Sequence, residues 1–287
     1  MNDHKLLKRL GVLLAAALVS LGGWVWPYIS TPVQSEFLTV TFLDVGQGDS
    51  ILIETPDGFQ MLIDGGPDGT VLRRLAAELP WFDRTLDTIL GTHPDKDHIG
   101  GLVDVLKRFK VDEIITTENT GETMVASAFQ KGLIGEGVPV TNARAGQVYS
   151  LGASTTLTIF SPANNPQMLE SNTASIVARL SYGEIDFMLT GDAPASIEEY
   201  LVKTYGSKLE SEVLKLGHHG SKTSSSEVFL DTVHPTYAVV SAGRDNSYGH
   251  PHQVVVDAVK SRKIEMVSTS DSGSVTFMSD GKEVWLK

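Results

Sequence analysis

Four side chains able to bind a metal ion stand within six residues of this 287-residue chain: His93, Asp95, Asp97 and His98. Two imidazoles and two carboxylates exceed what one ion with an open coordination position needs. The spacing therefore points to two adjacent divalent cations and to hydrolysis driven by them. Several other loops carry the same residue types. Asp44 and Asp49 flank the glycine turn of residues 43–50 and are placed to orient ligands. Asp64 closes an apolar run before two glycines, either as a structural turn or as a support behind the metals. Asp192 follows a third apolar run, where a carboxylate can bridge and neutralise two cations. His218 and His219 form an adjacent pair between glycines, in a chain with only eight histidines. His250 is a candidate ligand, phosphate contact or proton donor to a leaving group, and His252 reads as a helix cap or surface residue.

Short elements must position these loops. Strand patterns cover residues 37–43, 50–54, 59–63, 86–91, 113–117, 138–141, 155–160, 174–182, 184–190, 212–216, 237–241, 265–268 and 274–278. Helical spacing covers 71–79, 99–109, 123–134, 195–205 and 253–261. Two runs of strands, each followed by helices, predict two packed sheets with helices outside.

Composition narrows the chemistry. There is no cysteine, which excludes disulfides and thiolate sites and leaves His and Asp as the metal ligands. The net charge is −12. Residues 1–30 hold three basic residues and one acid, so the remainder is more acidic still. Such a body is a poor general binder of polyanions, and any nucleic-acid chemistry would rest on metal ions and a local basic patch. Lys5, Lys8 and Arg9 precede about twenty uncharged residues (10–29), with Trp24, Trp26 and Tyr28 near their end. This leader (residues 1–30) reads as a signal-anchor or a cleaved signal peptide. Either places the folded body outside the cytoplasm, membrane-anchored or secreted. Residues 31–36 read as a linker and 37–287 as the hydrolase domain.

Taken in order, the blocks FLDVGQGDS (42–50), LIDGG (62–66), THPDKDHIGGL (92–102), LTGDA (189–193), LKLGHHGSKTSSS (214–226) and YGHPH (248–252) resemble the metallo-β-lactamase superfamily. More narrowly, they are similar to the soluble domain of the ComEC-type competence DNA-uptake family. The resemblance implies an α+β fold, an αββα four-layer sandwich, following the N-terminal apolar helix. It also implies a two-metal hydrolase whose bridging hydroxide is the nucleophile. Carried over by position, His93 and Asp95 bind the first metal, Asp97 and His98 the second, Asp192 bridges and His218 completes the set. Asp64 and His219 support the ligands from behind. Two departures from the superfamily pattern stand out. Asp95 replaces the second histidine of His-x-His-x-Asp-His, and no histidine lies between His98 and His218, Asn172 being the nearest candidate there. The cofactors implied are two divalent ions, manganese or zinc with magnesium possible, the oxygen-rich set shifting the preference from zinc toward the harder ions. Both departures are shared by the ComEC type.

The leading reading is a phosphodiesterase or nuclease related to DNA uptake. Asp97, Asp192, Lys96 and His250 would serve catalysis, with Ser221, Lys222 and Ser224 holding phosphate oxygens and Arg244 approaching from another loop. Its partners would be nucleic acid or another phosphodiester, a membrane DNA-uptake protein, and the membrane through the N-terminal helix. A hydrolase of a lactone, thioester or other carboxyl ester is the alternative, and a non-catalytic metal- or DNA-binding envelope module the third.

Overall fold

The computed structural model describes residues 35–287. The leader, and all but two residues of the expected linker, lie outside the described residues. Among the described residues no helix is long and apolar enough to cross a membrane.

Strands β1 (Leu38–Phe42), β2 (Ile51–Glu54), β3 (Gln60–Ile63), β4 (Thr85–Leu90), β5 (Lys110–Thr116) and β6 (Val140–Asn142) open the first sheet. The last two strands of the chain, β14 (Val275–Ser279) and β15 (Val284–Leu286), return to its edge. The eight-stranded order is β15-β14-β1-β2-β3-β4-β5-β6. The second sheet contains β7 (Val148–Leu151), β8 (Thr155–Ser161), β9 (Val177–Tyr182), β10 (Ile185–Leu189), β11 (Val213–Lys215), β12 (Tyr237–Val240) and β13 (Glu265–Ser268). Its order is β13-β12-β11-β10-β9-β8-β7.

Alternation of side chains sorts the strands into layers. Ile51, Ile53, Met61 and Ile63 of the first sheet meet Leu180, Phe187, Leu189 and Val213 of the second, and this core lies between the sheets. Leu52 and Leu62 point the other way, onto α1 (Thr70–Glu78), α2 (Lys96–Ile99), α3 (Leu102–Leu106) and α4 (Met124–Glu136). Met188 and Leu214 face outward onto α5 (Ala195–Tyr205), α6 (Glu227–Val233) and α7 (Gln253–Ser261). The result is the four-layer αββα sandwich.

The helix expected over 99–109 is reduced to α3 (Leu102–Leu106), with Ile99 ending the separate short helix α2. Gly100 and Gly101 form the break, because the chain at 65–68 packs against them. A Cβ at Gly101 would overlap the Gly65 carbonyl oxygen, and one at Gly100 the Pro67 carbonyl. Both halves contain parallel strands, β3-β4-β5-β6 and β10-β11-β12-β13. Loops leaving the C-terminal ends of such strands are where ligands bind in α/β sheets, and every candidate metal ligand lies on one of them or just after it.

Candidate metal centre

Asp64 ends β3 in a left-handed conformation (φ 57°) and is buried. Its carboxylate accepts the Thr92 backbone N–H (2.8 Å) and the Thr92 hydroxyl (2.7 Å), and takes His98 Nδ1–H at 2.8 Å. It thereby fixes the loop after β4 and turns His98 Nε2 inward. His93 Nδ1 lies 3.0 Å from Thr92 Oγ1, and His219 Nδ1 lies 2.8 Å from the Ser241 carbonyl. With each Nδ1 engaged, all three histidines present Nε2 to one centre.

Around that centre, His98 Nε2 lies 3.3 Å from Asp192 Oδ1, and His219 Nε2 lies 3.4 Å from Asp192 Oδ2 and 3.3 Å from Asp97 Oδ2. These four residues outline an inner position. His93 Nε2 lies 3.7 Å from Asp95 Oδ2 and 4.0 Å from Asp192 Oδ2, and His218 Nε2 lies 3.7 Å from Asp192 Oδ2. These outline an outer position that shares Asp192. Asn172 stands beside it, with Nδ2 3.5 Å from His218 Nδ1 and a buried Oδ1 lacking any partner.

The fit to metal ions rests on orphaned atoms. Nε2 of His93, His98 and His219, and Oδ1 of Asp192, are buried without a hydrogen-bond partner. A buried unpaired polar group costs about 1–3 kcal/mol, so four that face one another across these two positions fit cations that satisfy them together. Mixed imidazole and carboxylate donors suit manganese or zinc. Asp49, His98, Asp192 and His219 also form a compact group of potential ligand atoms. Asp49 Oδ2 is paired with the ammonium of Lys215, whereas its Oδ1, 3.2 Å from His219 Nδ1, is buried without a hydrogen-bond partner and faces the same centre.

The histidine pair differs from expectation. His219, expected behind the ligands, is buried with Nε2 in the inner position. His218, expected to complete the set, takes the outer one. Both residues are left-handed (φ 50° and 57°), which costs a non-glycine residue about 1–2 kcal/mol. Such strain is characteristic of functional loops, and here it lets consecutive side chains reach two positions.

Other candidates fall into place unequally. Lys96 is exposed. Ser221 and Ser224 are buried: Ser221 Oγ accepts from the Thr223 hydroxyl (2.9 Å) within its own loop, and Ser224 Oγ donates to the Ala193 carbonyl (2.9 Å) on the loop after β10. Lys222 is exposed beside them. Asp44 pairs with Arg74 at 2.5 Å, away from the ligands, and Arg244 donates to the Ser270 carbonyl (3.0 Å). His252 occupies the N-cap position of α7 without a side-chain capping bond, and its Nδ1 accepts the Lys222 N–H (3.2 Å). His250 and the exposed Tyr248 stack at 5.7 Å and join Gln47, Asp95, Asp97 and His218 in lining a cleft of about 150 Å3. Sequence reasoning missed Lys215, Gln47 and Tyr248 as residues of the site.

Charge in the metal-free centre is held by protons. Burial pushes the imidazoles of His98 and His219 down, but facing carboxylates outweigh it. Asp192 and Asp64 hold His98 well above the usual histidine value, and Asp192 and Asp49 raise His219 to about 9. Burial pushes the carboxyls of Asp97, Asp192 and Asp49 up, yet the neighbouring cationic groups bring all three below the carboxylate range. His250 is lowered to about 4 by burial and by the adjacent histidines, so it is neutral near pH 7.

A pH dependence follows. The raised histidines stabilise the metal-free fold fully below about pH 6.5, and this contribution is lost as pH climbs through about 9. The lowered carboxyls work in the opposite sense, losing their contribution only in acid. A cation must displace the protons on His98 and His219. Manganese affinity is therefore expected to rise from pH 6 to 9, with up to one proton released per histidine. Calorimetry in buffers of different ionisation enthalpy reads that release, and a heat independent of buffer would contradict it.

The metallo-beta-lactamase superfamily model matches residues 43–244. The chain is 33% identical over 275 residues to competence protein ComA of Neisseria gonorrhoeae, covering 94% of this chain and 36% of that protein. It is 29% identical over 265 residues to ComE operon protein 3 of Bacillus subtilis, covering 83% and 32%. The chain thus spans about a third of the length of these curated relatives. Among solved structures, the metallo-beta-lactamase fold protein YhfI of Bacillus subtilis superposes with a TM-score of 0.54 at 13% identity, covering 80% of this chain and 95% of that one. That likeness concerns the fold alone.

Proposed function

Because this chain belongs to the metallo-beta-lactamase superfamily, we propose that it is a two-metal phosphodiesterase, and specifically a nuclease associated with DNA uptake. The observation that carries the reading is the convergence of His93, His98, His219 and Asp192 atoms that have no partner of their own, flanked by Asp95 and Asp97. The similarity to competence proteins supports nucleic acid as the substrate class.

Two divalent cations held there would polarise a phosphate and lower the pKa of bound water. The chain's own residues prepare the rest. Asp64, Thr92 and the Ser241 carbonyl orient the imidazole rings and leave each Nε2 facing the centre. Asp192 faces both positions at once and keeps them adjacent. His250, lowered to about 4 and so neutral near pH 7, is suited to hydrogen-bond a phosphate oxygen rather than to accept or donate a proton. Lys222, exposed on the loop after β11, is a candidate side-chain cation for a neighbouring phosphate, whereas Ser221 and Ser224 are buried. Tyr248 offers a flat aromatic face at the cleft mouth. We further take the folded body to be exported, on the strength of the basic flank and the uncharged residues 10–29.

The test is manganese-dependent cleavage. The chain is expected to hydrolyse bis(p-nitrophenyl) phosphate and DNA when supplied with manganese, and to stop on chelation. Turnover of a lactone or of nitrocefin without any phosphodiester cleavage would overturn the proposal in favour of the carboxyl-ester reading. Stoichiometric metal binding with no hydrolysis of either ester class would favour a binding module.

A further inference from the structure

We propose that Lys215 is the charge-balancing cation of the centre, a positioning residue whose ammonium brings the two-cation site to electrical neutrality and so admits an anionic substrate. The proposal rests on the two-cation reading above.

Lys215 is the last residue of β11 and shares the inward face with Val213 two positions earlier. Its side chain is fully buried. Lysine is almost never fully buried unless paired, since desolvating the ammonium costs several kcal/mol. Here Nζ is ion-paired with Asp49 Oδ2, donates to the Gly191 carbonyl at 3.2 Å and lies 3.8 Å from Asp192 Oδ1. It lies beneath the ligands, where no substrate reaches it. A lysine that neither faces solvent nor can touch substrate acts through its charge.

The balance is specific. Asp49, Asp64, Asp95, Asp97 and Asp192 bring five negative charges to the cluster. Two divalent cations offset four of them, and Lys215 offsets the fifth, counted with water bound to the cations and before it ionises. Were position 95 a neutral ligand, the same centre would carry a surplus positive charge, so Asp95 and Lys215 are compensating choices. Without Lys215 the loaded centre would be anionic and would repel a phosphodiester. A unit charge about 5 Å away, at an effective dielectric of about 20, is worth about two orders of magnitude in binding.

The test is a charge cycle with four full-length proteins: wild type, Lys215→Met, Asp49→Asn and the double variant. Calorimetry measures the affinity for manganese alone, and then for inorganic phosphate on the manganese-loaded protein. Lys215→Met is expected to bind manganese about tenfold or more tightly and phosphate about tenfold or more weakly. Asp49→Asn is expected to shift both in the opposite direction. The double variant, with net charge restored, is expected to return both to within about threefold of wild type. A merely structural role predicts instead that the double variant is no better than the worse single variant, and that result overturns the proposal. So does weaker manganese binding by folded Lys215→Met. Should Lys215→Met fail to fold, Asp49→Asn and the double variant carry the same comparison. These affinities are measured without turnover. A wild type that cleaves no phosphodiester would refute the proposed activity while leaving the charge cycle to be decided on its own.

Discussion

Asp192→Asn is expected to lower hydrolysis by about three orders of magnitude or more and to cut bound manganese from two ions per chain to one or none. No other side chain faces so many of the groups in the centre. Its two oxygens lie within 4.0 Å of Nε2 of His93, His98, His218 and His219. The amide keeps the shape but removes the charge, and turns an N–H2 donor toward imidazoles that require an acceptor or a cation. The loss should therefore appear in metal stoichiometry, by elemental analysis of dialysed protein, as well as in rate. Because the substitution is nearly isosteric, the metal-free fold is expected to persist, which circular dichroism checks. Full occupancy with full activity in Asp192→Asn would remove this residue from the bridging place.

Asp64 governs a different quantity. Asp64→Ala leaves three donors, the Thr92 amide, the Thr92 hydroxyl and His98 Nδ1–H, without their acceptor in a buried site. At about 1–3 kcal/mol for each unpaired group, with partial relaxation, the metal-free protein is expected to lose about 3–5 kcal/mol. Manganese affinity is expected to fall about 10–100-fold, the usual effect of removing a group that orients a ligand. The left-handed backbone at Asp64 makes Asp64→Asn the cleaner probe, since asparagine tolerates that conformation and alanine does not. Urea titration and calorimetry measure the two effects. An Asp64→Asn variant unchanged in both would show that the carboxylate does not organise this loop.

Much of this centre can be read from the sequence, for a physical reason. Ligands on the loops that leave strand ends announce themselves as Asp and His next to glycine, after apolar runs such as residues 86–90 and 187–189. What stays hidden is what depends on packing. Lys215 sits in a strand covered on both faces, so alternation alone does not say which face leads to solvent and which to the centre. The same limit applies to the histidine pair: sequence places both at a strand end, but only their successive left-handed torsions send His219 inward and His218 to the rim. Ser221 and Ser224 look available in a Ser-rich loop, yet their hydroxyls are engaged by Thr223 and by the Ala193 carbonyl. Among the elements, β7, β15 and α6 carry weak patterns, being short and in two cases at a sheet edge. The break at Gly100–Gly101 is invisible to apolar periodicity, which runs on through it.

The two sheets contribute separate halves of the centre. His93, Asp95, Asp97 and His98 follow β4 of the first sheet, whereas Asp192, His218 and His219 follow β10 and β11 of the second. A cation held between them is thus a reversible cross-link joining segments about a hundred residues apart in the chain, closing a loop whose entropy an unfolded chain would otherwise retain. Neither half owns the site. It comes into existence when the sandwich closes, so metal uptake reports a finished fold, and a chain stalled with one sheet formed cannot acquire the reactivity of the whole.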